Sequence, residues 1–583
     1  MKAENSTLTA AEGRNVFGWV DIVVLLGLFG LLWSVLHFGR GMIVHFDENS
    51  VPAVSTDIRN IPYYAGRTVL RMWIAFVFSL LFTMLVGYVA AKSRTLRPLI
   101  LSCLDILQSV PVLGFLSITV TGFIALFPGS LVGVECASIF AIFTGQVWNM
   151  TFGFYHSMIT IPTDMQEAGS IYRLNRWQRF TTVEAPASVH SLIWNSMMSF
   201  GGGWFFVLQS EAITVMNKNI KLPGIGSYMA VAQENGDTRA SLMAVIAMLV
   251  VVVASDQLVW RPMLVWADRF KIELTESGDP PTSWLYNLLR RAHIFRWFGV
   301  TVAQPLADWI RNITLQIAPA PKPPSKRASK AKQLGLRLAG IGVCLWIGYY
   351  VVIGILAAVE NVHGHVTGSQ FRNILWLGFL TFMRVIFMTV ASTLIWTPIG
   401  VWIGFKPKVA RIAQPIAQIA ASFPVNMTFP FMVGFFIAWH ISINWGSILL
   451  IAMGTQWYIL FNVIAGAMAI PNDLKEAART YGLHGWPLWT TLILPAIFPF
   501  WVTGACTAAG GAWNASVVAE LASYGDKTLK ADGLGAFIAD ATQRGDVPMI
   551  ISSIAVMSLF VVLINKLVWR RLYALAEHRF RLD

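Results

Sequence analysis

Few residues in this chain have the types and spacing that catalysis requires. There is no GxxxxGK[ST] run to cradle nucleotide phosphates, no HExxH or clustered His/Cys set for a metal, and no GxSxG turn for a nucleophile. The four cysteines, Cys103, Cys136, Cys344 and Cys506, lie scattered in apolar surroundings and are expected to pack rather than to react. The spacing that stands out is mechanical. Ile470–Pro495 (IPNDLKEAARTYGLHGWPLWTTLILP) recurs in worn form as Ile161–Pro186 (IPTDMQEAGSIYRLNRWQRFTTVEAP). Pro162/Pro471, Asp164/Asp473, Glu167/Glu476, Ala168/Ala477, Tyr172/Tyr481, Trp177/Trp486 and Pro186/Pro495 all keep an offset of 309 residues.

The second copy carries the clearer local physics. Pro471 suits a helix start, with Asn472 or Asp473 placed to cap its free N–H groups. Glu476 falls in the first turn, where the helix dipole favours a carboxylate. Ala477 and Ala478 keep one face small for a close-approaching partner, Gly482 ends the helix, and Trp486 and Trp489 are expected to pack beneath it. Pro495 opens the next apolar segment. The product is a short rigid knob hung on two long helices, so force on the knob would move them.

The elements that position these knobs follow from composition. The chain has 583 residues, 56% of them hydrophobic and only 13% charged, with mean hydropathy +0.60. Apolar runs near 20 residues recur, the length a helix needs to cross a bilayer core, and they lack the alternation of barrel strands. The predicted fold is an all-α membrane protein with about twelve spans, near 17–38, 68–91, 100–127, 132–160, 188–213, 240–262, 336–358, 373–404, 410–438, 445–469, 491–515 and 549–570. The formal charge of +13 gathers in alternate loops, as in membrane proteins that keep basic loops inside, and does not point to nucleic acid. Both termini and both knobs are then expected on the cytoplasmic side.

The repeat runs beyond the knobs. Gly145/Gly454, Gly201/Gly510, Gly202/Gly511, Trp204/Trp513, Glu211/Glu520, Gly224/Gly533, Gly226/Gly535 and Trp260/Trp569 keep the same offset. Two halves of the same orientation imply parallel repeats about an axis along the membrane normal. The division expected is 1–64, an N-terminal span and external loop; 65–270, a first unit; 271–334, a basic linker with amphipathic interfacial segments within 284–317; 335–369, an extra span; and 370–583, a second unit.

EAARTYG followed by LILP resembles the EAA loop of binding-protein-dependent ABC importer permeases, and the repeat extends the resemblance over both halves. It implies a type I importer-like permease whose coupling helices seat in ATP-hydrolysing subunits. The coupling residues would be Glu167, Ala168, Gly169, Tyr172 and Arg173 in copy one, and Glu476, Ala477, Ala478, Tyr481 and Gly482 in copy two. Copy one departs from the family pattern, with Gly169 in the third EAA position and Arg173 in place of the glycine. Gly510–Glu520 with Gly533-Leu534-Gly535 resembles the nitrate/sulfonate/bicarbonate-type branch, here as a fusion of two units, and so implies a small anion as solute. The resemblance implies two ATPase subunits carrying ATP and Mg, a periplasmic or lipid-anchored solute-binding protein, a bacterial inner-membrane location, and no cofactor or catalytic residue in this chain. An iron(III)- or thiamine-type fused permease and an ion-gradient-driven secondary transporter are the alternatives.

Candidate pathway residues are Gln108, Ser109, Ser422 and Asn426 beside Pro111 and Pro424, together with Gly201, Gly202, Trp204, Gly510, Gly511, Trp513 and Asn514. The glycine pairs are equally suited to close helix packing. Glu211 and Glu520 are expected to be structural, binding loop N–H groups. Arg71 and Arg384 are expected to snorkel to the interface.

Overall fold

The computed structural model describes residues 18–45, 54–93, 95–172, 174–215, 218–270, 282–305, 352–524 and 527–579, with a few isolated positions between 309 and 350. Of the expected linker 271–334, residues 282–305 and 309 are described; the rest of it, with the basic run 325–332, and Arg173 lie outside the described residues. The chain forms two compact bodies. One comprises 1–40, 153–195 and 254–336; the other comprises 41–152, 196–253 and 337–583.

Among the described residues, seven helices are long and apolar enough to cross a membrane: Trp19–Arg40, Ile58–Lys92, Thr238–Phe270, Gly368–Gly404, Ile443–Ala469, Gly485–Ala519 and Val547–Ala576. Two expected spans are instead bent pairs, Arg97–Gln108 with Val112–Leu126 at 83° and Pro407–Ser422 with Val425–Ala438 at 78°. The bends fall at Pro111 and Pro424, since a residue before proline is pushed out of the helical region. Val132–Ile159 and Ala185–Glu211 are long enough, at 28 and 27 residues, but more polar than a lipid-facing span. Their polar groups are turned inward: Glu135, Ser138, Gln146, Thr151, Ser210 and Glu211 are all buried. The twelve spans read from apolar length thus become seven straight helices and two bent pairs on composition alone. The polar inner face of the two further helices hides them from a hydropathy count, and about half of the span expected at 336–358 lies outside the described residues, the described part belonging to a shorter apolar helix, Gly348–Val362.

The larger body is organised around Ile443–Ala469 and the helix Leu494–Ala519, whose small residues (Gly504, Ala505, Ala508, Ala512) are buried at close approach. Each long helix of the pair Ala185–Glu211 and Leu494–Ala519 runs into a short antiparallel hairpin. In one, Ala212 pairs with Lys221; in the other, Leu521 pairs with Lys530. A short helix follows each hairpin, Ile225–Glu234 and Leu534–Arg544. In the smaller body, Asp21 at the start of Trp19–Arg40 accepts the Ile294 N–H at 2.8 Å. It thereby caps the helix His293–Phe298, which follows the amphipathic Trp284–Arg291.

Candidate functional site

The two knobs are short helices, Thr163–Ile171 and Asn472–Thr480. Each has proline at the N-cap and no side-chain cap, which corrects the expectation for Asn472 and Asp473: both are already inside the helix. The C-terminal end of copy two closes as a Schellman turn. Gly482 takes a left-handed φ of 66°, its N–H reaches the Arg479 carbonyl at 3.0 Å, and the Leu483 N–H reaches that of Ala478 at 2.9 Å. Copy one, without the glycine, keeps the outer bond, Leu174 N–H to the Gly169 carbonyl at 3.1 Å.

The knobs' outward faces carry Glu167, Ala168 and Tyr172 in one, and Glu476, Ala477, Tyr481 and Gly482 in the other, all exposed. Tyr172 and Tyr481 are 78% and 83% accessible. Gly169 and Ala478 are buried within the chain. They are seats that hold each knob down rather than part of a partner-facing surface. Trp486 is 72% exposed and does not pack beneath the helix, whereas Trp489 packs against the core. Lys475 lies 5.4 Å over the Phe405 ring at the end of Gly368–Gly404, and burial of its ammonium holds it below the ordinary lysine range. Each knob leads into a π-helical turn, Phe180–Glu184 and Trp489–Ile493. These are also 309 residues apart, and such turns within helices are frequent at functional sites.

The larger body holds a second repeated device that the sequence reading only half identified. Glu211 accepts hydrogen bonds from Thr68 Oγ1, Arg71 Nη1 and the Gly226 N–H, each at 2.7 Å. Glu520 accepts from Thr381 Oγ1 at 2.8 Å, Arg384 Nη1 at 3.0 Å, and the Gly535 and Ala536 N–H groups at 2.8 and 3.3 Å. Each carboxylate therefore ties a long helix to the N-terminus of the short helix after its hairpin, where the dipole favours negative charge. The binding of loop N–H groups expected for these glutamates is what the geometry contains. The snorkelling expected for Arg71 and Arg384 is overturned: both side chains are buried and ion-paired. Their 313-residue offset breaks the repeat register and hid the pairing. Gly224 and Gly533 are required sterically, since a Cβ there would stand 2.2 and 2.1 Å from these carboxylates.

The two clamps differ in one respect. In copy one, Glu135 adds a second acid, bonded to Arg71 through Nε at 2.5 Å and to Arg67 at 2.5 Å. In copy two the equivalent of Glu135 is Asn444, which accepts from Arg384 Nη2 at 2.8 Å, and the equivalent of Arg67 is Leu380.

A cavity of 320 Å³ lies in the same body, lined by Leu113, Leu116, Gln209, Met229, Gln233, Asn426, Phe429, Ile538, Thr542 and Gln543, among others. Of the candidate pathway residues it takes Asn426. Gln209 and Gln233 went unnoticed in the sequence because an amide in an apolar run gives no periodic signal. Trp204 packs edge-on to Phe200, and Trp513 stacks with Phe382 and Phe560; both are core. Asn514 accepts the Val112 N–H at 2.9 Å and so caps the helix after the Pro111 break. Gly201 would place a Cβ 2.7 Å from Ser422 Oγ, and Gly202 and Gly511 have neighbours at 3.1 and 3.2 Å, but Gly510 meets nothing within 4 Å and is not a packing point. Gln108 is exposed, and no description extends to the Ser109 side chain.

The nitrate import permease protein NrtB of Leptolyngbya laminosa is 29% identical over 170 residues, covering 29% of this chain and 57% of the relative. The taurine transport system permease protein TauC of Escherichia coli is 25% identical over 182 residues, 31% of this chain and 62% of the relative. The bicarbonate transport system permease protein CmpB of Synechococcus elongatus is 24% identical over 201 residues, 34% of this chain and 69% of the relative. The chain spans about half the length of the nitrate permeases it matches, 57% of one and 49% of another. The family model described as "Binding-protein-dependent transport system inner membrane component" matches residues 83–259 and again 396–582. Matched twice and over more than half its length, the chain belongs to the family of inner-membrane components of binding-protein-dependent transport systems, with two units on one polypeptide.

Proposed function

We propose that this protein is the permease subunit of an ATP-driven importer for a small anion, supplying the translocation pathway and both docking elements. The observation that carries the reading is the pair of knobs. Each is a nine-residue helix with a buried small residue as its seat and an exposed glutamate and tyrosine on its outer face. Each is joined through a π-helical turn to a long helix. ATP and Mg belong to two partner ATPase subunits, and a solute-binding protein presents the anion outside. The chain itself is not an enzyme and carries no cofactor. It lies in a bacterial inner membrane with both termini cytoplasmic, and its units are 65–270 and 370–583. ATP-driven closure of the partners moves this chain only in so far as they bind its two states with different affinity. A secondary transporter would instead need a titratable group free to exchange protons or ions, whereas Glu135, Glu211 and Glu520 are each ion-paired.

The test is co-purification in mild detergent from the native membrane. The complex should contain an ATP-hydrolysing chain at two copies per permease, and Glu476→Lys should remove it while leaving the permease in the membrane. Recovery of the permease with no ATPase chain, or retention of the full complement by Glu476→Lys, would overturn the docking assignment.

A further inference from the structure

Resting on the membrane orientation read above, we propose that the solute leaves the permease along the second unit only. The exit wall is a polar stripe on Leu494–Ala519, faced by Asp105 and Gln108, and the equivalent stripe of the first unit is a closed seam. Thr503, Thr507 and Gly510 are exposed and Asn514 is half-buried. Spaced at i, i+4, i+7 and i+11, they share one helix face about 16 Å long. At the 309 offset the first unit has Trp194, Met198, Gly201 and Phe205. Of these, Gly201 is buried and Met198 and Phe205 are half-buried. A Cβ on Gly201 would stand 2.7 Å from Ser422 Oγ, whereas Gly510 meets nothing within 4 Å among the described residues.

The open face is not a lipid face. Where other long helices of the same body turn outward they show large apolar side chains, such as Val390 and Leu394 on Gly368–Gly404 and Leu559 and Leu563 on Val547–Ile564. On Leu494–Ala519 the exposed large apolar side chain is Leu494, at its start. Thr503 Oγ1 donates to the Pro499 carbonyl at 3.1 Å and Thr507 Oγ1 to that of Thr503 at 2.8 Å, which leaves their lone pairs for water. Asp105 and Gln108 are exposed on the neighbouring bent helix, and the Asp105 carboxylate lies within electrostatic reach of Cys506 and Arg570. An ionisable side chain on a membrane helix faces a water-filled space rather than hydrocarbon. Beyond Pro111, the Val112 N–H bond to Asn514 pins that bent pair to the far end of the stripe. Charge is one-sided in the same sense. In the first unit Arg261 pairs with its own Asp256 at 3.1 Å. The second unit has Asn565 in place of that acid, and Arg570 lies near Asp105 instead, whose own equivalent at 313 is Gln418. The stripe begins on the knob side, since Thr503 lies about 15 Å along the helix from Ile493, where the turn after the second knob ends.

The experiment labels single cysteines in the full chain with a charged, membrane-impermeant maleimide, applied to inverted membrane vesicles and separately to spheroplasts. The background carries Cys103→Ser, Cys136→Ser, Cys344→Ser and Cys506→Ser. In inverted vesicles Thr503→Cys, Thr507→Cys and Gly510→Cys should label at least tenfold faster than Met198→Cys, Gly201→Cys and Phe205→Cys. They should exceed Leu559→Cys, a lipid-facing control, by as much. Thr507→Trp added to Gly510→Cys should slow its labelling at least tenfold by narrowing the passage. Gly201→Cys strains a close contact, so Met198→Cys and Phe205→Cys carry the comparison should it fail to insert. Equal labelling of the two units overturns the proposal. So does a stripe that labels no faster than Leu559→Cys, or one that labels only in spheroplasts. The docking reading is judged apart from this, by ATPase co-purification, because it does not depend on which wall is wet.

Discussion

The paired clamps make a quantitative comparison possible within one molecule. Glu520→Gln keeps shape but removes the charge facing Arg384, whose remaining contacts are the side-chain and backbone oxygens of Asn444. Among the described residues Glu520 is the carboxylate that neutralises this buried guanidinium. Removing one partner of a buried pair costs about 3–5 kcal/mol. Glu211→Gln is the same edit in copy one and leaves the same net positive charge, but there Arg71 keeps Glu135 through Nε and Nη2 at 2.5 and 2.8 Å, a carboxylate shared with Arg67, so the excess charge is spread over two guanidiniums. The cost there is nearer that of a buried hydrogen bond left unmade, about 1–3 kcal/mol. The gap is about 2 kcal/mol, roughly thirtyfold in the folded ratio, using 1.4 kcal/mol per decade. Unfolding in detergent can be followed through the 24 tryptophans, and the midpoints should fall in the order wild type, Glu211→Gln, Glu520→Gln. Arg384→Gln added to Glu520→Gln removes the stranded cation and should recover stability by a coupling of about 0.5–3 kcal/mol. Glu211→Gln costing as much as Glu520→Gln would show that Glu135 gives Arg71 no independent support, and the account of the clamps would be wrong.

Further outcomes follow from the same contacts. Gly533→Ala should destabilise the chain severely, because its Cβ would meet Glu520 at 2.1 Å; Gly510→Ala, with open space around it, should leave the unfolding midpoint unchanged or slightly raised. Gly482→Val places a β-branched residue at φ 66° and should cost about 1–3 kcal/mol locally, read as faster proteolysis at the knob with the rest of the chain intact. Ala478→Arg should unseat the second knob and impair ATPase capture by displacing the helix, whereas Ala477→Arg should impair it at unchanged fold stability, by blocking the outer face.

Much of the architecture was legible because duplication writes itself into the numbering. The 309 offset located both knobs, both carboxylates and both glycine pairs before any coordinates. It failed where the units differ in length. Thr68/Thr381 and Arg71/Arg384 sit at 313, so the partners of Glu211 and Glu520 could not be matched, and two buried arginines looked like interfacial ones. Helices such as Val132–Ile159 were legible as spans, but their polar residues carried no sign of which way they faced. Burial is a property of neighbours hundreds of residues away. The amides of the cavity were least visible of all. Gln209 and Asn426 lie 217 residues apart and mean nothing separately.

The pattern of what duplication preserved separates the charged clamps from the lining of the cavity. The clamps are repeated because each unit must tie its hairpin and short helix to its own long helix. Failure of either would expose a buried charge, so each half carries a carboxylate, an arginine, a threonine and a glycine in equivalent places. Copy one's extra Arg67–Glu135 pair is electrically silent, and Leu380 and Asn444 in copy two remove both charges together. Changes of that kind come in compensating pairs. The cavity shows the opposite. Gln209 and Asn426 each stand where the other unit has an apolar residue, and they meet across the two units, Asn426 Nδ2 donating to Gln209 Oε1. A wall that both units build alike fixes the shape of the space, while the departure from likeness fixes where its polar groups lie. A fused chain permits this: once the two units are one polypeptide, each can diverge at the shared cavity without meeting its own copy there.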